Sequence, residues 1–109
     1  MTVPLQITFR KMAASPAVRT RVKDRADKLI RLHDRITACR VVVEAPHRHH
    51  HKGKLYAIAV EVKVPGGTLT SHRNPGGHHE HEDIYLAIRD AFDAVERQIY
   101  DYVRRKGAA

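Results

Sequence analysis

The chain has no tryptophan and a single cysteine, and its aromatic rings come from only two phenylalanines and four tyrosines in 109 residues. One cysteine excludes an internal disulfide, and the Val41 and Val43 beside Cys39 mark it as a buried structural thiol, which makes a cytoplasmic, reducing location the default. No hydrophobic run approaches the eighteen or so residues of a membrane span, and the N-terminus MTVPLQITFRK has no signal-peptide core. There is no glycine-rich phosphate loop, no G-x-S-x-G elbow and no plausible cysteine nucleophile, so enzyme readings and cofactors find no support. Carboxylates are also scarce, twelve against twenty Lys and Arg, which leaves a net charge of +8.

That deficit is the strongest bulk signal. A field of this sign attracts polyanions, with nucleic acid or an anionic membrane surface as the natural partner. Its distribution is uneven. Up to Lys54 there are thirteen basic and four acidic residues, and from Leu55 onward seven basic and eight acidic. The whole excess lies in the first half.

The apolar pattern describes one small domain over residues 1–109. LQITF alternates with Leu5, Ile7 and Phe9 on one side, as a half-buried strand does. Ser15-Pro16 is an N-cap and first-turn pair, after which Val18, Val22, Ala26, Leu29 and His33 recur at helical spacing. RVVVEA, with Cys39, Val41 and Val43 inward, predicts a second strand. LYAIAVEVKV alternates without a break and predicts a third. Pro65-Gly66-Gly67 turns into a weaker fourth, TLTSHR, and Asn74-Pro75-Gly76-Gly77 interrupts the chain again. From about Glu82 to Arg105, Ile84, Ile88, Phe92, Val95, Ile99 and Val103 share one face of a long helix.

The order β-α-β-β-β-α predicts an α+β two-layer sandwich. A right-handed β-α-β unit makes the first two strands parallel, and two hairpins complete a four-stranded mixed sheet with both helices on its one apolar face. In this topology the end of strand one, the start of helix one, the second hairpin turn, the end of strand four and the start of helix two share an edge. The two histidine clusters, His47/His49/His50/His51 and His72/His78/His79/His81, are then expected as neighbours.

Helix one carries the clearest binding signal. Arg21, Arg25 and Lys28 fall at i, i+4 and i+7 beside the apolar face, with Arg31 and Arg35 extending the outer edge and Asp24 beside them. A merely solvated face mixes signs, as helix two does with Asp93 to Arg97 and Asp101 to Arg105. The one-signed stripe predicts phosphate contacts, which position a protein on nucleic acid without reading sequence. With few aromatics, and Ala57 and Ala59 on the open face of the sheet, stacking of single-stranded bases is not expected, and shape and backbone recognition of folded RNA fits better. Glu80, Glu82 and Asp83 stand where negative charge suits a helix start.

The segment APHRHHHKGK is internal and interrupted by Arg48, unlike an expression tag. His49, His51, His78, His79 and His81 are candidate metal ligands, but their spacing matches no closed structural-zinc pattern, and an adventitious site is the stronger form of that reading. The reading that comes first is a basic hairpin tip whose Arg48, Lys52 and Lys54 face RNA phosphates beside part-charged histidines, with the metal site second.

Two blocks carry a family resemblance: ITFRKMAASPAVRTRVKDRADKLIRL followed by HDRI, and HEDIYLAIRDAFDAVERQIYDYVRRKG, in which Tyr85, Ala87, Ile88, Glu96, Arg97 and Gln98 keep register. Together they resemble the ribosome hibernation promoting factor and ribosome-associated inhibitor A family, also labelled sigma-54 modulation proteins. Residues 46–53 and 72–80 fall outside the match, so the histidine segments inherit no role. The resemblance implies the β-α-β-β-β-α fold, similar to double-stranded-RNA-binding domains. It also implies a bacterial cytoplasmic protein on the small ribosomal subunit, holding idle ribosomes inactive in stationary phase or stress from the channel used by messenger and transfer RNA. Ribosomal RNA is then the partner, with no membrane and no small-molecule substrate. Arg19, Arg25, Lys28 and Arg97 match basic positions of the family pattern, while Arg21, Arg31 and Arg35 rest on the stripe, Arg35 also on the DRI match. The chain stops at Ala109, so a separate C-terminal dimerisation domain is not expected. The runner-up is a metal- or protein-binding stress regulator that uses the histidine segments.

The two readings of those segments differ in the sign of their pH dependence. Free imidazole titrates near about 6.5, and a phosphate field holds it protonated, so subunit affinity is expected to rise as pH falls from about 8 to about 6. Replacing His49, His50 and His51 with Gln should remove much of that dependence. Metal binding runs the other way, since protons compete for the ring nitrogens. Binding measured across this range with and without a chelator decides, and a flat profile with chelator sensitivity contradicts the RNA-facing reading.

Overall fold

The computed structural model describes residues 3–45, 56–71, 80–81 and 83–107. The elements are β1 (Leu5–Arg10), α1 (Pro16–Leu32), β2 (Ala38–Glu44), β3 (Tyr56–Val64), β4 (Gly67–Thr70), β5 (Glu80–His81) and α2 (Ile84–Gly107). β1 runs parallel to β2, from Leu5 opposite Cys39 to Arg10 opposite Glu44. β2–β3 and β3–β4 are antiparallel, giving the sheet order β1-β2-β3-β4.

Local chemistry sets the boundaries. Ser15, in extended backbone, accepts the amide of Val18 on its hydroxyl at 3.3 Å, and Pro16 supplies the first helical residue, which needs no N–H partner. At the far end the His33 amide still donates to the Leu29 carbonyl, but its own backbone is extended and α1 ends at Leu32. Lys11, at φ 60, reverses the chain out of β1, and its ammonium lies 3.6 Å from Glu44 at the end of β2.

The fourth strand position differs from expectation. TLTSHR does not continue as one strand: pairing with β3 stops at Thr70, because the Ser71 hydroxyl accepts the Val60 amide at 3.0 Å while the Ser71 amide donates to the Val60 carbonyl at 2.9 Å. After residues 72–79, Glu80 and His81 rejoin the same β3 edge opposite Ala57 and Tyr56. Glu80 is therefore a strand residue, not part of a helix start. Among the described residues Asp83 takes the capping role, accepting the amides of Tyr85 at 2.9 Å and Leu86 at 3.4 Å, and Glu82 lies outside the described residues.

The turn at the shared edge is also reassigned. Arg10, Glu44, Ala57 and Glu80 lie in one row across the sheet, so the connection there is that of the first hairpin, between β2 and β3. The second hairpin turn, at Pro65 and Gly66, is at the opposite end, where Tyr102 of α2 donates its hydroxyl to the Pro65 carbonyl at 2.7 Å. Gly66, at φ 86, takes the left-handed position of that turn. The relative placement of the two histidine clusters lies outside the described residues.

All the apolar alternation resolves to one face. Val41, Val43, Ile58, Val60 and Val62 are fully buried under Val18, Val22, Ala26 and Leu29 of α1 and Ile88, Ala91, Val95 and Ile99 of α2. An aliphatic side chain taken fully out of water contributes about 1.5–3 kcal/mol. α1 packs over β1, α2 over β3 and β4, and the helices touch each other along their length.

Cys39 sits in this core, with its thiol pushed up from an ordinary 9.0 to about 12 by burial. Raising the folded-state value makes the folded chain hold its proton where the unfolded chain releases it, so this contribution to stability is lost as pH rises from about 9 towards about 12. Urea unfolding at about pH 8 and about pH 10.5 should therefore show a steeper loss for the wild type than for Cys39→Ala, other titrations being common to both. Equal losses would contradict the buried protonated thiol.

Candidate nucleic-acid interface

Because both helices share one side of the sheet, their flanks meet in a seam, and the seam is where the stripe of α1 is found. Arg25, Lys28, Leu29 and Leu32 form one wall of a groove, and Phe92, Asp93 and Glu96 of α2 form the other. Arg21 lies one turn earlier, its guanidinium 4.7 Å from the centre of the Tyr85 ring on α2. A guanidinium stacked this way is held in place while its in-plane N–H groups remain available, the geometry that suits a phosphate. Arg25 is half-buried and Lys28 exposed, and among the described residues neither has a carboxylate oxygen within ion-pair reach.

The opposite wall alters the electrostatic picture. Asp93 does not pair with Arg97 among the described residues; it faces Arg25 and Lys28 across the groove. Asp101 pairs with Arg104 rather than Arg105, and Asp90 with Arg89 at 3.2 Å. Arg21, Arg25 and Lys28 form a cationic row along their own helix, but in space a carboxylate of α2 stands opposite, because only the packing brings α2 alongside.

The remaining candidates divide by location. Arg19 lies on the other flank of α1, its guanidinium 5.4 Å from the centre of the Phe9 ring on β1. Arg31 is exposed in the last helical turn. Arg35 does not extend the stripe as a helical residue, since α1 has already ended; it stands in the turn before β2 and lines a second cleft with Leu32, His33, Asp34, Tyr100 and Val103. Arg97 is exposed on α2, one turn beyond Asp93, and is not among the residues that line the groove. Arg48, Lys52, Lys54, His49, His51, His78 and His79 lie outside the described residues. His81 is placed only as the β5 partner of Tyr56. Among the described residues no three His, Cys, Asp or Glu side chains come together as a metal site.

One interaction in the seam was hidden by the helical pattern. His33, the residue that caps the end of α1, continues its apolar spacing and is buried, and its Nε2 meets Glu96 Oε2 at 2.8 Å. The imidazole also makes a T-shaped contact with Tyr100, centroids 5.1 Å apart. These three side chains tie the end of α1 to the middle of α2. The signal available in the sequence was a polar residue recurring four after Leu29 on an otherwise aliphatic face, since a buried polar group requires a partner.

Residues 5–106 match the family described as Sigma 54 modulation protein / S30EA ribosomal protein. The ribosome hibernation promotion factor of Deinococcus radiodurans is 27% identical over 100 residues, which is 92% of this chain and 49% of the relative. This chain thus spans about half the length of that protein. Among solved structures, a ribosomal subunit interface protein from Coxiella burnetii superposes with a TM-score of 0.66 at 21% identity, over 92% of this chain and 97% of its own. The N-terminal domain of Thermus thermophilus Protein Y gives 0.68 at 24% identity, over 89% and 94%. These two likenesses establish the α+β fold.

Proposed function

The chain belongs to the Sigma 54 modulation protein / S30EA ribosomal protein family, and from that premise we propose that it binds the small ribosomal subunit through ribosomal RNA and holds it inactive. The observation that carries the proposal is the row Arg21, Arg25 and Lys28 along the helix seam, cations set in line and without ion-pair partners among the described residues. Family membership supplies the ribosome, and the row supplies a surface suited to a phosphate backbone. A relative named ribosome hibernation promotion factor supports the inactive-ribosome role. The channel used by messenger and transfer RNA is the position this proposal adopts, and the cytoplasm is its compartment. No helix among the described residues is long and apolar enough to cross a membrane.

In this role the protein acts by occupancy. The family is one of ribosome-associated factors, not of enzymes, and inhibition then scales with the number of ribosomes covered. Arg21 is held by Tyr85 and presents its guanidinium edge; Arg25, half-buried, projects from the groove wall; Lys28 adds an unconstrained charge. Asp93 opposes Arg25 and Lys28, limiting how deeply a phosphate chain settles into the groove.

The two walls of the groove give opposite predictions. Replacing Arg21, Arg25 and Lys28 with Ala should weaken subunit binding and flatten its dependence on salt, by about one in log-log slope for each phosphate left without its cation. Asp93→Asn should instead tighten binding, while Asp101→Asn, already paired with Arg104 away from the groove, should change it little. Sedimentation with purified subunits at several salt concentrations measures all three. Unchanged affinity and slope in the triple variant would contradict the assigned surface.

A further inference from the structure

The two most exposed large hydrophobic side chains of the described structure stand together. Leu32, 60% exposed, ends α1, and Tyr100, 57% exposed, lies beside it on α2. Between them opens a cleft of about 420 Å³, lined also by His33, Asp34, Arg35 and Val103. Leu32 lines the basic groove as well, so the cleft continues the row of Arg25 and Lys28. An exposed ring is ordinarily without a neighbour, but this one rests on a buried partner. His33 is buried and bonded to Glu96 at 2.8 Å, and Tyr100 rests on it in a T-shaped contact with the planes at 79°. Such a contact covers at most one face of the tyrosine ring.

We propose that the cleft between Leu32 and Tyr100 receives an unpaired RNA base, stacked on the Tyr100 ring, from a strand whose phosphates follow the Arg25 and Lys28 wall. This rests on the RNA-binding reading of the seam and adds to it a preference for single-stranded or bulged RNA. The ring supplies a π face, Leu32 and Val103 an apolar floor, and the rim carries a donor in Arg35 and an acceptor in Asp34, the two kinds of group that base edges meet. Charge selects the occupant. The cleft opens at the end of the cationic row of Arg25 and Lys28, which favours a polyanion over an apolar peptide, while Arg35 and Asp34 in its lining offset each other. The scarcity of aromatics argues against stacking on the open face of the sheet; the helix seam is a separate surface, and one ring there suffices for one base.

The test uses a short single-stranded RNA carrying one central 2-aminopurine, compared with a fully paired RNA duplex of equal length. The wild type and Tyr100→Phe should quench the 2-aminopurine and bind the single strand alike. Tyr100→Leu should abolish the quenching and weaken single-strand binding about tenfold, while leaving duplex binding within about twofold. Leu32→Ala, at a position exposed enough to spare the fold, removes apolar floor without adding charge to the groove it shares, so it should lower the quenching and the single-strand affinity in the same direction, and it keeps the test decisive if the tyrosine variant melts early. If Tyr100→Leu and Leu32→Ala bind and quench like the wild type while the Arg21/Arg25/Lys28 variant loses the strand, the stacking site is wrong and the seam stands. If that triple variant also binds as before, the seam fails and the stacking site fails with it.

Discussion

The constraint on which everything else depends is that the sheet has a single apolar face. In β3 the residues Ile58, Val60 and Val62 are fully buried and Val64 nearly so, while Ala57, Ala59, Glu61 and Lys63 turn the other way. β2 repeats the division with Cys39, Val41 and Val43. Two helices that must bury their aliphatic stripes therefore have one side of the sheet to share, and they come to lie flank to flank. The seam between them is a product of that sharing. It collects side chains far apart in the chain: Arg21 with Tyr85, Arg25 and Lys28 with Asp93, and His33 with Glu96 and Tyr100.

Within the seam, packing and charge divide the work along its length. At the end where the helices begin, the Tyr85 ring holds the Arg21 guanidinium. In the middle, cations and a carboxylate face one another across an open groove, with Glu96 engaged by His33 and Asp93 left to act on whatever enters. At the far end an exposed tyrosine rests on the buried imidazole. A groove with one basic and one partly acidic wall binds a phosphate backbone less tightly than a wholly basic one. In the proposed role, repulsion from Asp93 favours release of the ribosome.

Much of this was legible in the chain. The alternation from Tyr56 to Val64 fixed the central strand and its inward face, and Ser15-Pro16 placed the start of α1 to the residue. The aliphatic spacing on both helices was enough for the two-layer sandwich. What escaped depended on contacts between distant segments. Nothing local indicates that Ser71 would take the Val60 amide with its hydroxyl and end β4, or that Glu80 and His81 would resume pairing on the same edge. Arg35 matched the stripe by counting, but a helix whose terminal amide bonds have run out at His33 cannot carry it. Asp93 showed the same limit: spacing within α2 paired it with Arg97, while the structure sets it against the other helix. Helical periodicity reports which face is buried, not what the neighbouring helix brings to its edge.

The central claim is that the seam, and not the open face of the sheet, is the surface that meets ribosomal RNA. Site-specific photocrosslinking tests it most directly, with a benzophenone side chain placed either at Lys28 in the groove or at Ala59 on the open face, and the small subunit as target. The account predicts crosslinks to ribosomal RNA from position 28 and few or none from position 59. RNA crosslinks from position 59 with none from position 28 would contradict it.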